Sequence, residues 1–326
     1  MRNQLPIRMK ISLKSIIATI IFLLGIFLKP QLTSPDILIW INNNILPSLA
    51  QEGFVGHSIK TQPSPTSKLS FDQLQSFVQT YFRENRSISP PFTQQDIYEI
   101  FPHLRAQVSF PSTLPQDKKI AYLASIAYLQ GFLWAHMSWY NQFLPYKIFF
   151  LDSPSSLRAL SNEEKMFIYL DSISNNAEYR EILTHEMGHV VDLGVLRGQN
   201  PQKSKIFTEF WEIKFSIDDP SILFYQISRR WEKLTLRGVT YKDFVSWYSL
   251  NDIFEDFAES FNFYLNHYES FKTLSKYSPI LKSKFQYFKK LFDGEYIKSD
   301  ILTAQYFEQN PNRRPWDTTK VQQKNK

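Results

Sequence analysis

The stretch EILTHEMGHVVDLG, residues 181–194, constrains this chain more than any other part of its sequence. It carries His185 and His189 four residues apart, with Glu186 beside the first and Asp192 three residues past the second. A helix turns about 100° per residue, which places His189 about 40° and Asp192 about 20° from His185. His185, His189 and Asp192 therefore share one face of a helix, which we predict over residues 177–195.

Two imidazoles one helical turn apart can bind a single tetrahedral zinc ion. Glu186 lies to the side of that face, where its carboxylate can take a proton from a zinc-bound water as the water attacks a carbonyl. The alternative interpretation is an amphipathic helix that carries two surface histidines. The motif directly follows two predicted strands and uses two of only six histidines in the chain, which favours the zinc site.

A catalytic zinc site needs one more protein ligand besides the two histidines and a water. A third histidine in the pattern HExxHxxGxxH is excluded, because Asp192 and Val195 occupy its Gly and His positions. Asp192 shares the face of the histidines and could itself bind the metal. We favour a different role, in which Asp192 accepts a hydrogen bond and so orients a histidine ring.

The third ligand is predicted in a second stretch, WYSLNDIFEDFAESFNFYL, residues 247–265. Glu255 and Glu259 lie four residues apart on an apolar helix, where two carboxylates are costly unless a positive group faces them. Zinc and a histidine N–H meet that need, with Glu255 as metal ligand and Glu259 as hydrogen-bond acceptor for a ligand histidine. The alternative is a solvated acidic edge that also includes Asp252 and Asp256.

The two stretches together resemble the lethal-factor-like family of gluzincin zinc metallopeptidases, which includes the catalytic domain of anthrax lethal factor and the Pro-Pro endopeptidases. HEMGHVVD is similar to the family's HEFGHxxD, and EDFAESF is similar to its ExFAExF. A tyrosine seven residues before the ligand glutamate is a third shared feature, here Tyr248. The resemblance covers roughly residues 145–295 and implies a zincin-like metallopeptidase fold.

The resemblance implies zinc as the cofactor and three protein ligands for it, His185, His189 and Glu255. It implies that Glu186 is the general base and that the Tyr248 hydroxyl donates to the oxyanion of the tetrahedral intermediate. Taken alone, Tyr248 is one of 17 tyrosines and could be a packing residue. The family binds extended substrate along a strand edge, for which KMFIYLD at 165–171 is our candidate. The interval between the histidines and Glu255 looks longer than in the family, so we interpret residues 218–238 as a substrate wall or lid.

The amino terminus is basic and then apolar, which is typical of a signal anchor or a signal peptide over residues 1–30. A buried amphipathic helix is the alternative. Positive residues crowd before the apolar run, which predicts a cytoplasmic amino terminus and an extracytoplasmic remainder. We predict a juxtamembrane segment and linker over 31–70, the metallopeptidase domain over 71–308 and a disordered tail over 309–326.

The pattern of apolar residues indicates an α+β fold, mostly helical with a small mixed sheet. YKIFFLD (146–152) and KMFIYLD (165–171) are predicted strands, with a short helix in SPSSLRALS between them. Residues 117–140 predict a buried core helix, with a second membrane span as the alternative. Later helices are predicted at 204–216, 221–236 and 251–268 and after Pro279.

The formal net charge of +6 comes from the two ends of the chain. Residues 1–30 contribute +5 and residues 311–326 contribute +4, which leaves the middle at −3. This distribution argues against a nucleic-acid partner. The absence of cysteine excludes disulfides, thiolate zinc sites and a cysteine nucleophile.

We therefore expect a monomeric zinc endopeptidase that hydrolyses extracytoplasmic protein or peptide substrates. It is expected to be held at the membrane by its amino-terminal helix, or secreted if that helix is cleaved. The first alternative is a catalytically inactive zincin-like surface binding module. The second is a membrane-integral protein with two spans, residues 11–28 and 120–139.

Overall fold

The computed structural model describes residues 69–84, 89–137, 147–153, 155–161, 164–196, 206–207, 215–216 and 219–324. The predicted signal anchor and nearly all of the predicted linker lie outside this part of the chain. Within it, no helix combines the length and the apolar character that a membrane span requires. The described residues belong to one unit, Ser67–Lys326.

The described chain is a mixed α+β structure in which helices predominate around one small four-stranded sheet. The helices in chain order are α1 (Phe71–Glu84), α2 (Gln94–Ile100), α3 (Leu104–Gln107), α4 (Gln116–His136), α5 (Asn176–Val190), α6 (Pro220–Tyr225), α7 (Ile253–Asn266), α8 (Tyr268–Leu274), α9 (Pro279–Leu291) and α10 (Ile301–Gln309). The strands are β1 (Val108–Ser109), β2 (Lys147–Leu151), β3 (Ala159–Ser161), β4 (Lys165–Tyr169), β5 (Ile206–Phe207) and β6 (Phe215–Ser216). The α+β class predicted from the sequence is confirmed.

The four-stranded sheet has the order β1-β2-β4-β3. β2 runs parallel to β1 and β4 and sets Ile148 opposite Met166, whereas β3 runs antiparallel to β4. Alternate residues of β2 and β4 are buried, which turns one face of the sheet toward the core. The two predicted strands are confirmed. The short helix predicted between them is wrong, because its last three residues pair with β4 and form β3.

The strand order of the sheet excludes β4 as the strand whose edge binds an added peptide. β4 was predicted to bind peptide by strand addition, but β2 and β3 occupy both of its edges. β3 has one strand neighbour among the described residues, and the Ser161 hydroxyl oxygen lies 3.2 Å from the Glu186 carbonyl oxygen of α5. The strand edge beside the histidine helix therefore belongs to β3.

Helix α4, which contains the long apolar run, is a core helix. Nearly all of its residues from Ala121 to Leu133 are buried. Tyr122 stacks on Phe150 of β2 at 5.5 Å and contacts Tyr179 of α5 at 4.2 Å. The buried Gln130 amide lies 2.7 Å from a ring nitrogen of His103, so its polar group has a partner. The prediction of a core helix is confirmed.

Helices α5 and α7 pack closely, and Gly188 makes that approach possible. A Cβ atom added at Gly188 would lie 2.9 Å from Cα and 3.3 Å from Cβ of Ala258. Both positions are fully enclosed, so neither helix could move aside without disturbing the core. The glycine of HEMGH therefore brings the histidine face of α5 within reach of the carboxylates of α7.

Two predicted helices after α5 are wrong. Residues 206–207 and 215–216 pair as short antiparallel strands rather than lying in a helix over 204–216. The helix predicted over 221–236 ends at Tyr225, after which the chain turns back through a bridge between Arg229 and Thr235. The Arg229 guanidinium is buried and donates to the Ser249 carbonyl at 2.7 Å, a tertiary contact that overrides local helix propensity.

The predicted disordered tail, residues 309–326, is also wrong for the part that the structure describes. Asp317, Thr318 and Thr319 are buried, and the backbone N–H of Tyr248 donates to the Trp316 carbonyl at 2.8 Å. Polar composition suggested disorder, but this segment is held by its backbone groups, by short polar side chains and by one core residue, Val321.

Candidate metal centre

Helix α5 presents His185, Glu186 and His189 at a buried face. Its amino terminus is capped by the Asn175 side chain, which accepts from the Glu178 N–H at 3.0 Å. His185, Glu186 and His189 are 7%, 7% and 8% exposed, so each keeps a narrow route to solvent. The two imidazole rings lie 5.0 Å apart between centroids and nearly perpendicular. This geometry suits two ligands that converge on one small ion.

Helix α7 presents Glu255 and Glu259 to the histidines. Its first turn is fixed by Asp252, whose carboxylate accepts from the N–H groups of Phe254 and Glu255 at 2.9 Å each. This cap orders the turn that carries Glu255. The two carboxylates fall on the face of α7 that packs against α5, and the carboxylate of Glu259 is completely buried.

Three potential ligand atoms come together where these helices face each other. Oε2 of Glu255 lies 3.2 Å from Nε2 of His185 and 3.6 Å from Nε2 of His189. All three ligand groups lie within 4.8 Å of one another. Ligand atoms of a tetrahedral zinc, each about 2.1 Å from the ion, are about 3.4 Å apart. The two nitrogens and the carboxylate oxygen therefore fit a zinc ion with only small side-chain movements.

Glu259 contacts the other side of the His185 ring. Its Oε1 lies 2.9 Å from Nδ1 of His185, and its Oε2 accepts from the Thr318 N–H at 2.8 Å. A carboxylate at Nδ1 keeps a proton there and leaves Nε2 free to bind a metal. Glu259 thus stands where it can both orient the ring and fix its tautomer.

Electrostatics at the centre favour a positive charge. Burial by itself lowers the pKa of His185, but the carboxylates of Glu255 and Glu259 raise it well above its usual value. Burial also lowers the pKa of His189, but Glu255 raises it, and the net change is upward. For Glu255, burial raises the pKa and the two histidines lower it, with a net lowering. The cluster therefore attracts a cation, a role that a proton or a metal ion can fill.

Glu186 has a hydrogen-bond donor that sequence reasoning missed. The Ser161 hydroxyl, at the end of β3, donates to Oε2 of Glu186 at 2.6 Å. This leaves the other carboxylate oxygen of Glu186 without that constraint. Nothing local in the sequence marks Ser161, because β3 has only three residues and its position over α5 depends on the sheet.

Tyr248 lies next to Glu255. Its hydroxyl donates to Oε1 of Glu255 at 3.2 Å, and its ring centroid lies 6.1 Å from that of His185. Burial, and then the charge of Glu255, raise the pKa of the Tyr248 phenol. The phenol therefore stays protonated and available as a hydrogen-bond donor.

Asp192 does not have the predicted contact with a histidine ring. Its Oδ2 accepts from the Tyr225 hydroxyl at 2.5 Å, and its backbone carbonyl accepts from the Ser221 hydroxyl at 3.0 Å. Asp192 lies in a π-helical turn, Val191–Leu196, that follows α5 and changes the direction expected for a continuous α-helix. Burial raises the pKa of Asp192 to about 7. The carboxylate joins α5 to α6 instead of orienting a ligand.

The remaining acidic residues of the second stretch do not form a solvated edge. Asp252 caps α7, as described above. Asp256 is buried and pairs with the Lys284 ammonium of α9 at 2.7 Å, and it also accepts from the Ser228 hydroxyl at 3.0 Å. Each carboxylate from Asp252 to Glu259 therefore has its own partner, and only Glu255 faces both histidines.

Comparisons with known proteins give no further identification. No family model matches the chain, and no curated protein or solved structure matches it either. The resemblance to the lethal-factor-like family therefore rests on the motifs and on nothing broader.

Proposed function

We propose that this protein is a zinc-dependent endopeptidase with a zincin-like active site. The observation that supports this most directly is the convergence of Nε2 of His185, Nε2 of His189 and Oε2 of Glu255 at distances suited to one zinc ion. Glu186 adjoins His185 in the chain and Tyr248 contacts Glu255, so a base and a hydrogen-bond donor for peptide hydrolysis lie beside the ligand set.

The chain's own residues then have separate tasks. Zinc bound at the three ligands supplies a Lewis acid that acidifies a water and polarises a carbonyl. Glu186 takes the proton of the attacking water at the carboxylate oxygen that Ser161 leaves free, and later gives it to the leaving amine. The Tyr248 hydroxyl donates to the oxyanion that develops on the carbonyl oxygen.

We propose that β3 holds the substrate. A peptide that adds to the outer edge of β3 would run antiparallel or parallel to Ala159–Ser161 through backbone hydrogen bonds. Ser161 at the end of this strand is bonded to the general base, so an added peptide would pass beside Glu186. This mode selects extended, unfolded segments of protein and does not depend on one particular side chain.

The location of the enzyme follows from the amino-terminal sequence. We propose that residues 1–30 anchor the chain in a membrane, with the catalytic unit on the extracytoplasmic side. Its substrates would then be proteins or peptides outside the cytoplasm.

The proposal is tested with the full chain purified in mild detergent. We expect one zinc ion per chain by metal analysis and hydrolysis of a peptide library that stops with a chelator. Glu186→Gln should keep the zinc and lose roughly 10²–10⁴-fold in turnover. Glu269→Gln is the matched control, because Glu269 is a partly exposed residue of α8 that pairs with Lys272 and not with the ligand set.

The outcomes separate the proposed function from its alternatives. Full hydrolysis by Glu186→Gln contradicts the assigned base. Zinc binding with no hydrolysis of any peptide by the wild-type chain identifies a zinc-bearing binding module instead. Absence of bound zinc after dialysis against the metal rejects the metal centre itself.

A further inference from the structure

The C-terminal clasp, residues 314–319, contacts the metal centre through its backbone. The Thr318 N–H donates to Oε2 of Glu259 at 2.8 Å. The carbonyls of Pro315 and Trp316 accept from the N–H groups of Trp247 and Tyr248 at 3.0 and 2.8 Å. The clasp therefore contacts both the carboxylate that orients His185 and the segment that carries the proposed oxyanion donor.

The clasp is held at both of its ends. At its beginning, the Arg314 guanidinium donates from Nε to the Phe244 carbonyl at 2.6 Å. At its end, Arg158 pairs with Asp317 at 3.0 Å and donates to the Thr319 hydroxyl at 2.5 Å. Arg158 immediately precedes β3. The clasp thus connects the sheet edge, Tyr248 and Glu259.

The contact between Thr318 and Glu259 acts on the proposed ligand His185 indirectly, through the Glu259 carboxylate. Glu259 is fully buried, with one oxygen toward Nδ1 of His185 and the other toward Thr318. A buried carboxylate oxygen without a donor costs free energy, so loss of the Thr318 N–H would turn or displace the carboxylate. The ring of His185 would then lose the partner that directs Nε2 toward the metal.

We infer that the C-terminal clasp sets the affinity of the metal centre, with the Thr318 N–H as a positioning group that acts through Glu259 and His185. This inference rests on the proposed function, because it assumes that His185 binds zinc. It also assigns a specific role to a segment whose composition suggested disorder.

The deciding experiment compares Thr318→Pro with Thr318→Ala in the full chain. Thr318 is the first residue of a short helical segment, Thr318–Lys324, where proline is tolerated. Proline removes the N–H that Glu259 accepts, whereas alanine keeps it. Both variants lose the hydroxyl that accepts from Asn262 at 2.9 Å, so the comparison isolates the N–H.

We expect Thr318→Pro to bind zinc roughly 10–100-fold more weakly than Thr318→Ala, the usual cost of removing the partner of a ligand histidine. Affinity is measured by competition with a chromophoric chelator, and circular dichroism of the zinc-free proteins checks the fold. Equal affinities in two folded variants overturn the inference.

A second variant keeps the test decisive if Thr318→Pro does not fold. Asp317→Ala removes the pairing with Arg158 but retains every backbone group of the clasp. Its zinc affinity is compared with that of Lys320→Ala, an exposed position just beyond the clasp. We expect weaker binding only in Asp317→Ala, and equal binding overturns the inference. Failure of the wild-type chain to bind zinc rejects the proposed function instead.

Discussion

His185 and His267 are two buried histidines that each stand between two carboxylates. His185 lies 2.9 Å from Glu259 and 3.2 Å from Glu255. His267 lies 3.2 Å from Glu181 and 3.2 Å from Asp300. Both clusters join α5 to α7, since Glu181 lies one turn before His185 on α5 and His267 is the residue that caps the carboxyl end of α7.

The two histidines differ in their neighbouring groups and in their exposure to solvent. The His185 cluster contains a second imidazole and a narrow opening, whereas His267 is completely enclosed. The His267 cluster has cations instead, with Arg180 paired to Glu181 at 3.0 Å and Lys298 close by. Within the described residues, only His185, His189 and Glu255 bring three ligand atoms within 4.8 Å of one another. Two carboxylates around a buried histidine therefore do not by themselves form a candidate metal site.

The largest expected effect concerns zinc. His189→Ala removes a proposed ligand, so we expect its zinc affinity to fall by more than the roughly 100-fold that loss of a ligand's partner costs. His267→Asn removes a histidine with equally close carboxylates and should still bind one zinc ion per chain. Both values come from chelator competition. Loss of zinc in His267→Asn would contradict the assignment of zinc binding to the His185 cluster alone.

The next effect concerns the free energy of unfolding of the zinc-free protein, and here the His267 cluster matters. In zinc-free protein, His267→Asn leaves the buried carboxylates of Glu181 and Asp300 without their shared cation. We expect a loss of about 3 kcal/mol in the free energy of unfolding, because breaking a buried pair costs about 3–5 kcal/mol and Arg180 still compensates Glu181. Urea unfolding at pH 7 measures this loss.

The control for that measurement is the exposed pair of Lys276 and Glu308, whose side chains are 54% and 55% exposed. Lys276→Ala should cost less than about 1 kcal/mol, because solvent screens the pair. Equal losses in His267→Asn and Lys276→Ala would mean that the buried cluster contributes nothing beyond an ordinary surface pair.

The third prediction concerns pH. Burial lowers the pKa of His267, but the charges of Glu181 and Asp300 raise it from 6.5 to about 9. A folded-state pKa above the unfolded one stabilises the fold fully below pH 6.5, and this contribution disappears as pH rises to 9. It amounts to about 3 kcal/mol, since each tenfold change in proton affinity is worth about 1.4 kcal/mol.

The difference in unfolding free energy between zinc-free wild type and His267→Asn should therefore shrink between pH 6.5 and 9. Taking the difference reduces the effect of Lys298, whose pKa is lowered by burial to about 8 and which acts in the opposite direction. In the wild type, burial raises the pKa of Glu181, but His267 and Arg180 together lower it to about 2, so Glu181 is ionised over this range. A difference that stays constant over this range contradicts a protonated His267.

The contrast between the two clusters also shows what the sequence could predict. The spacing of His185, His189, Glu255 and Glu259 predicted that they share helix faces, and the structure brings these faces together. His267 and its acids gave no comparable signal, because Glu181, His267 and Asp300 lie far apart in the chain. Short-range periodicity identifies groups on one element, whereas contacts between elements depend on packing.

The failures have the same physical origin. The tail is rich in Asn, Pro and Arg and lacks apolar periodicity, so its attachment through backbone groups and Arg158 could not be predicted. Asp192 was assigned from the angles of an ideal α-helix, which the π-helical turn changes. β3 was overlooked because three residues carry no period, and with it the hydroxyl that contacts Glu186.

Removal of the Ser161 hydroxyl, which contacts Glu186, is expected to have the smallest effect. Ser161→Ala removes the donor to Oε2 of Glu186 and leaves all three ligands and the β3 backbone in place. If Glu186 is the base, turnover should fall about tenfold, equivalent to about 1.4 kcal/mol, the order of one hydrogen bond to a charged group. KM and zinc affinity should not change, because neither the strand edge nor the ligands are touched. Ser161→Thr restores a hydroxyl in a β-compatible residue and should recover most of the turnover. Normal turnover in Ser161→Ala would contradict this prediction and would mean that the packing of α5 alone orients Glu186.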